Sequence, residues 1–276
     1  MKSSHISDTR KASVKGRFYP KECSKLKNSI EKFTQELETI PISKSLKNII
    51  PRIVIVPHAG YQYSGFTANC AYYFLKHSKA KRIIVIGPSH HHNFKGISGS
   101  YYNKYETPCG DISIDSPYLF ALAKQFNIGF EPKAHSQEHS TEVQMPFIKI
   151  YFPNTKIIEL IYGDIPAENL ANLILALERN KENLIVVSSD LSHFHTLEIA
   201  KAHDYNCLRA VEDLNVSILR KGCEACGLTG IHAVILTAKE LKFSVKLLDY
   251  RTSAKNNADT KSVVGYMSAM FYKSLE

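Results

Sequence analysis

Three short apolar runs in this chain each end at a polar turn that delivers histidine: Ile53-Val54-Ile55-Val56-Pro57-His58, Ile83-Ile84-Val85-Ile86-Gly87-Pro88-Ser89-His90 and Leu184-Ile185-Val186-Val187-Ser188-Ser189-Asp190-Leu191-Ser192-His193. Imidazole serves as a proton carrier near neutral pH and as a ligand for zinc, copper, iron and nickel. A metal site draws its ligands from separate elements that hold a fixed geometry. His58, His90, Asp190 and His193 are therefore candidates for a metal or acid–base site. Each also has a plainer use. His58 can cap a turn, and His90-His91-His92 can be a surface loop in which at most one or two side chains point inward. His90 is preferred there because it lies nearest the apolar run. Asp190 and His193 can form a salt-bridged turn, or the carboxylate can orient the imidazole and raise its basicity.

Further candidates carry weaker signals. Glu138, His139 and Glu142 share one face if a helix begins there, because positions three and four apart are neighbours; carboxylates that cap a first turn give the same pattern. Ser188-Ser189 invites a nucleophile, but no Gly-x-Ser-x-Gly elbow surrounds it. Cys226 precedes Gly227 at the opening of a helical stretch, where the positive end of the dipole favours thiolate, although packing is the usual fate of a cysteine. Cys223 and Cys226 form a lone C-x-x-C without the second ligand pair of a structural zinc site.

The elements that must position these residues can be read from the pattern. Runs of four β-branched or apolar residues without alternation fit strands buried on both faces, which occur mostly in parallel sheets covered by helices. Ligands of such sheets sit beyond the carboxyl ends of the strands, so neighbouring runs would bring the histidines to one crevice. Helical spacing marks Cys23, Leu26, Ile30, Phe33 and Leu37 after Pro20, then about 66–77, 117–126, 166–178, 197–212, 216–221 and 227–241. Strands are expected at 53–57, 83–87, 157–162, 184–188, 245–248 and 263–271. The Gly87 to Cys109 connection, with Tyr101, Tyr102 and Tyr105, is long enough to be a functional loop or short hairpin. The alternation predicts an α/β fold with a mainly parallel central sheet flanked by helices. Residues 1–16 are polar and read as a flexible N-terminal segment, with a single domain over 17–276.

Composition narrows the function classes. Of 276 residues, 44% are hydrophobic and 22% charged, the balance of a globular protein that can bury a substantial core. No apolar stretch approaches the roughly 18 residues of a membrane span, and Met1-Lys2-Ser3-Ser4-His5 lacks the core of a signal peptide, so a cytoplasmic location and no membrane partner are expected. The net charge of +9 is spread over scattered lysines without a nucleic-acid motif, which predicts solvated surface rather than nucleic-acid binding. The six cysteines are expected to be reduced thiols. No nucleotide cofactor is expected.

The segments Val56-Pro57-His58-Ala59-Gly60-Tyr61 with Ser64-Gly65, Gly87-Pro88-Ser89-His90-His91, Thr107-Pro108-Cys109-Gly110-Asp111, Glu138-His139-Ser140-Thr141-Glu142-Val143-Gln144-Met145-Pro146-Phe147, Ser188 to His193, Cys226-Gly227 and Ser262-Val263-Val264-Gly265-Tyr266 follow the order found in the Memo family. From about Arg17 to the C-terminus the chain resembles that family, whose microbial members are also called AmmeMemoRadiSam system protein B. The resemblance implies a fold like the class III extradiol ring-cleaving dioxygenases, with a metal centre of two histidines and a cysteine falling on His58, His90 and Cys226. It also implies that Asp190 and His193 lie beside the centre, His193 in the position of the dioxygenase acid–base histidine. Tyr61, His91, His139 and Glu142 are expected to line the substrate pocket. A thiolate in place of a carboxylate moves the site toward copper(I) and zinc, with iron still compatible. The sequence Cys226-Gly227-Leu228-Thr229-Gly230 departs from the Cys-Gly-Arg-His-Pro of animal members.

Three functions follow as alternatives. The first is a metal-dependent, dioxygenase-like oxidoreductase using iron or copper, with His193 moving protons and Asp190 orienting it. The second is a non-catalytic module for a peptide or small ligand. The third is an accessory protein to radical SAM and AMMECR-type partners.

Overall fold

In the computed structural model, residues 8–41, 46 and 49–274 are described. The first half contains β1 (Thr9–Arg10), α1 (Cys23–Glu38), β2 (Ile53–Val56), α2 (Tyr61–Leu75), β3 (Arg82–Pro88), β4 (Ile97–Gly99), β5 (Lys104–Tyr105) and β6 (Ile112–Ser113). Then come α3 (Ser116–Phe126), α4 (Pro132–Ser136), a 3-10 turn at Glu142–Gln144, α5 (Met145–Tyr151), β7 (Lys156–Tyr162), α6 (Ala167–Arg179) and β8 (Asn183–Ser188). The last part holds β9 (His193–His195), α7 (Leu197–Glu212), α8 (Val216–Leu219), α9 (Leu228–Glu240), β10 (Ser244–Thr252), α10 (Ala254–Asn257) and β11 (Val263–Tyr272).

The three apolar runs are neighbours, as the sequence reading required. β2 pairs in parallel with β8, β8 with β3, and β3 with β7. Their lack of alternation has a simple cause: each face of the sheet carries its own core. Ile53 and Ile55 of β2 enter one cluster with α3, α6, α7 and α9, whereas Val54 and Val56 enter the other with α1, α2 and α5. Period-two geometry sends successive side chains to opposite faces, so a strand covered on both faces must be apolar throughout.

The sheet as a whole is mixed rather than mainly parallel. β11 runs antiparallel to β2, β10 antiparallel to β11, and β4 antiparallel to β7, in the order β10-β11-β2-β8-β3-β7-β4, with β9 against β11. A parallel return needs a crossover of a dozen or more residues. The connection from Thr252 to Val263 is shorter, so β11 must turn back beside β10. A small second sheet has the order β1-β5-β6.

The structure departs from the sequence pattern in three further places. The segment expected to be flexible is built into the fold from residue 8: β1 pairs with β5, and Arg10 and Val14 are buried; residues 1–7 lie outside the described residues. Four cysteines expected as free thiols form disulfides, Cys23–Cys109 and Cys207–Cys223, with Cα atoms 4.8 Å apart in each. Tertiary proximity, which chain position could not reveal, places both pairs within bridging range. In the 87–109 connection, β4 joins the main sheet and β5 the small one, so it is structured throughout much of its length.

Arg10 and Glu142 hold the N-terminal segment down. Oε2 of Glu142 accepts from Arg10 Nη1 at 2.6 Å, Ser13 N at 2.8 Å and Ser13 Oγ at 2.7 Å. Oε1 accepts from Val14 N and Tyr19 Oη, each at 2.8 Å. Both charged side chains are essentially inaccessible, at 1% and 0% exposure. Removing one member of such a pair strands the other in low dielectric, at roughly 3–5 kcal/mol. Glu142→Gln should therefore lower the urea-unfolding free energy by about 3–5 kcal/mol. A loss below about 1 kcal/mol would show that this network does not hold the segment.

Candidate metal centre

The carboxyl ends of β2, β3 and β8 deliver His58, His90 and Asp190, and the turns that follow pack against one another. His58 is fully buried. Its Nδ1 lies 2.9 Å from Ser188 Oγ. That hydroxyl donates its own hydrogen to Ser140 O at 2.6 Å and accepts from Gln144 Nε2 at 3.0 Å. With its hydrogen committed, Ser188 acts as acceptor, so the His58 proton sits on Nδ1 and Nε2 carries the lone pair. Burial, followed by the proximity of His90 and His139, pushes the His58 pKa well below its ordinary value. A neutral imidazole with a free Nε2 is the form that binds metal.

His90 is oriented in the same way by a different group. Its Nδ1 lies 2.8 Å from Glu138 Oε1, and its backbone N–H donates to Oε2 at 2.6 Å. Oε1 also accepts the backbone N–H groups of His139 and Ser140 at 3.0 and 2.9 Å. Burial opposes the Glu138 charge, but the His90 imidazole and these N–H groups outweigh it and hold the carboxyl well below the usual range. A carboxylate that accepts from the far nitrogen of a histidine is a common outer partner of a metal ligand.

His139 completes the group. Ligand atoms of His58, His90 and His139 lie within 4.8 Å of one another, and the His90 and His139 rings are 4.5 Å apart between centroids. Burial first, then His90, brings the His139 pKa down to about 4. Sequence placed His139 on the pocket wall. It reaches the cluster because residues 138–141 form an irregular turn before the 3-10 segment, not the helix that would have set Glu138, His139 and Glu142 on one face.

Cys226 adjoins the cluster: Sγ is 3.2 Å from His58 Nε2 and accepts the Asp190 N–H at 3.3 Å. The helix dipole expected to favour its thiolate is overcome by burial, with Asp190 adding to it, and the thiol is pushed up. A bound cation would reverse that balance, since coordination deprotonates thiols. Two glycines permit the close packing. A Cβ on Gly227 would come within 2.6 Å of the Ser189 side chain and 2.9 Å of Ser188 O, and one on Gly87 within 2.6 Å of Ser140 Oγ. Asp190 is turned toward His58 rather than His193: Oδ1 accepts the His58 N–H at 2.7 Å, and Oδ2 is 4.0 Å from His58 Nε2. Burial raises its pKa to about 7.

The Memo-like protein family model matches residues 10–270. This chain belongs to the Memo family. Among similar proteins, a MEMO1 family protein of Sulfurisphaera tokodaii is 33% identical, covering 95% of this chain and 99% of that protein. One from Methanobrevibacter smithii is 34% identical with the same coverage, and one from Thermoplasma volcanium 31% over 94% and 97%. The fold is similar to that of an uncharacterized Escherichia coli K12 protein of known structure, with a TM-score of 0.52 and 12% identity over 79% of this chain and 98% of that one.

The remaining candidates of this Memo-family chain divide. His91 and His139 line a cavity of about 450 Å³ with Ser13, Arg17 and Phe18. Cys226 lines another of about 270 Å³ with His92, Tyr162 and Thr229. Tyr61 is buried, donates to Val143 O at 2.9 Å, and borders a third cavity with Arg17 and Phe18. Glu142, expected in the pocket, is instead wholly engaged with the N-terminal segment. His193 is half-buried on β9, near enough for its charge to be among those depressing the His58 pKa. No described helix is long and apolar enough to cross a membrane.

Glu138→Gln keeps the shape of the side chain but replaces the carboxylate that accepts from His90 Nδ1. Metal affinity should fall roughly 10–100-fold, measured by competition with a chromophoric chelator. An unchanged affinity would show that Glu138 does not support a ligand.

Proposed function

We propose that this Memo-family protein is a metal-dependent oxidoreductase whose ion, iron or copper, is held by His58, His90 and Cys226, with His139 at the same centre. The observation that carries the reading is the paired orientation of His58 and His90: Ser188 and Glu138 occupy their Nδ1 atoms and leave both Nε2 atoms available. The donor set fits such an ion, since imidazole and thiolate suit iron, copper and zinc. When bound, the ion supplies redox chemistry toward dioxygen or an organic substrate. The chain's own residues do the rest. Ser188 and Glu138 fix the ligand tautomers. Asp190 joins the His58 backbone to the Cys226 turn by accepting from one and donating to the other. His193 relays a proton between the reacting group and solvent, and the cavity lined by His91, His139 and Arg17 receives the substrate.

A second reading has support of its own in the same cavity. Arg17 and Phe18 stand beside His139, whose ring is 5.2 Å from that of Phe18. A cation next to aromatic walls suits a small acidic ligand or peptide held without chemistry. Saturable binding that survives removal of the metal would favour it.

The test uses protein reconstituted anaerobically with Fe(II) or Cu(I), then exposed to dioxygen with ascorbate as reductant while oxygen uptake is recorded. Wild type should consume oxygen. His193→Ala should keep its metal and react roughly 10²–10⁴-fold more slowly, the usual range for loss of a positioned acid or base. No uptake by metal-loaded wild type, or a His193→Ala rate equal to wild type, would contradict the oxidoreductase reading.

A further inference from the structure

A second group of ligating side chains lies on another face of the same region. His195 on β9, His203 on α7 and Glu224 in the turn before α9 each place a ligand atom within 4.8 Å of the other two. The Glu224 carboxylate spans the two imidazoles: Oε2 is 2.7 Å from His195 Nε2, and Oε1 is 3.6 Å from His203 Nδ1. The rings are stacked, with centroids 5.1 Å apart. All three residues are half-exposed, so the group is open to solvent and is not a core network.

We propose that His195, His203 and Glu224 form a second metal site, separate from the His58 centre, that takes a divalent zinc-class ion. Two imidazoles and a carboxylate are the protein donor set of an open tetrahedral zinc site, with water in the fourth position. In such a site, bonds of roughly 2.0–2.2 Å place neighbouring donors about 3.3–3.5 Å apart. His195 Nε2 and Glu224 Oε2 stand 2.7 Å apart, less than an ångström short of that value, and His203, whose Nδ1 gives its proton to Gly222 O, offers Nε2 as its donor. An ion therefore enters by displacing the proton shared between His195 and Glu224.

The surrounding structure holds the donors in place before any ion arrives. His203 Nδ1 is 2.7 Å from Gly222 O, and Asn206 Nδ2 donates to Lys221 O at 2.9 Å, which ties α7 to the turn that carries Glu224. The Cys207–Cys223 disulfide makes the same connection covalently, one helical turn beyond His203 and one residue before Glu224. His195 is held from the other side, where β9 pairs with β11 through Val263. Three separate elements thus meet at one point, and much of the entropy of assembling a chelate is already spent. An ion there clamps β9, the strand that begins at His193, to α7 and the disulfide-bonded turn. Sequence reading passed over the group because spacings of 8 and 21 residues follow no ligand motif.

Zinc content after equilibrium dialysis against buffered Zn²⁺, followed by gel filtration, tests the site. Five proteins are compared: wild type, His203→Ala, Glu224→Gln, His58→Ala/His90→Ala/His139→Ala, and that triple variant with His203→Ala added. Each surface variant should hold one ion per chain fewer than wild type. The triple variant should retain one ion, which is lost when His203→Ala is added. Equal zinc in wild type, His203→Ala and Glu224→Gln would overturn the proposal, as would a folded triple variant that binds none. If the triple variant does not fold, the two surface variants decide the matter alone. Wild type that falls from one ion to none in His203→Ala, with no change in the triple variant, would support this site and count against the His58 centre.

Discussion

The arrangement at the carboxyl end of the sheet depends on where two protons sit. Ser188 fixes the proton of His58 on Nδ1 because its own hydrogen is committed to Ser140 O; Glu138 does the same for His90 through a carboxylate that can only accept. If either proton moved to Nε2, the lone pair would point away from the cluster and the ligand would be lost. The partners also fix the turns themselves. Glu138 receives three backbone N–H groups and Ser188 links three segments, so ligand orientation and local backbone structure are one hydrogen-bonded system. Such networks are strong because each group is fully satisfied in a low-dielectric setting.

Close backbone approach is the second requirement. The end of β3 meets the 138–141 turn, and the turn after β8 meets the one containing Cys226, at distances that leave no room for a side chain at Gly87 or Gly227. The N-terminal segment then closes over this assembly, anchored through Arg10 and Glu142. Arg10 also donates to Glu138 O at 2.7 Å, which links that anchor to the support of His90. Phe18 and Arg17, carried by the same segment, form one wall of the cavity beside His139. The fold thus uses a buried ion pair to shape the mouth of the site, a use in which position matters more than net stability.

Much of this was legible in the sequence. The runs at 53–56, 83–86 and 184–187 could be read as neighbouring buried strands because few other environments tolerate uninterrupted β-branched stretches of that length. The convergence of His58, His90 and Asp190 followed from parallel pairing alone. The antiparallel edge was less visible, since it depends on the length of the connection before β11 and not on any residue type. The disulfides escaped because Cys23 and Cys109 are 86 residues apart. Glu142 illustrates a deeper limit: a carboxylate next to site residues looks the same in sequence whether it faces a ligand or a buried arginine. His139 was placed near the site, but its approach to His58 and His90 depends on the irregular turn at 138–141, which carries no helical or strand periodicity.

Every role assigned to this group requires that the Nε2 atoms of His58 and His90 converge on one ion. Anomalous diffraction at the iron and copper edges, from crystals prepared anaerobically, tests it most directly. A single peak is expected in this group roughly 2.0–2.3 Å from both Nε2 atoms and the Cys226 sulfur. A metal-loaded protein with no peak there, or with a peak that approaches His58 or His90 through Nδ1, would contradict it.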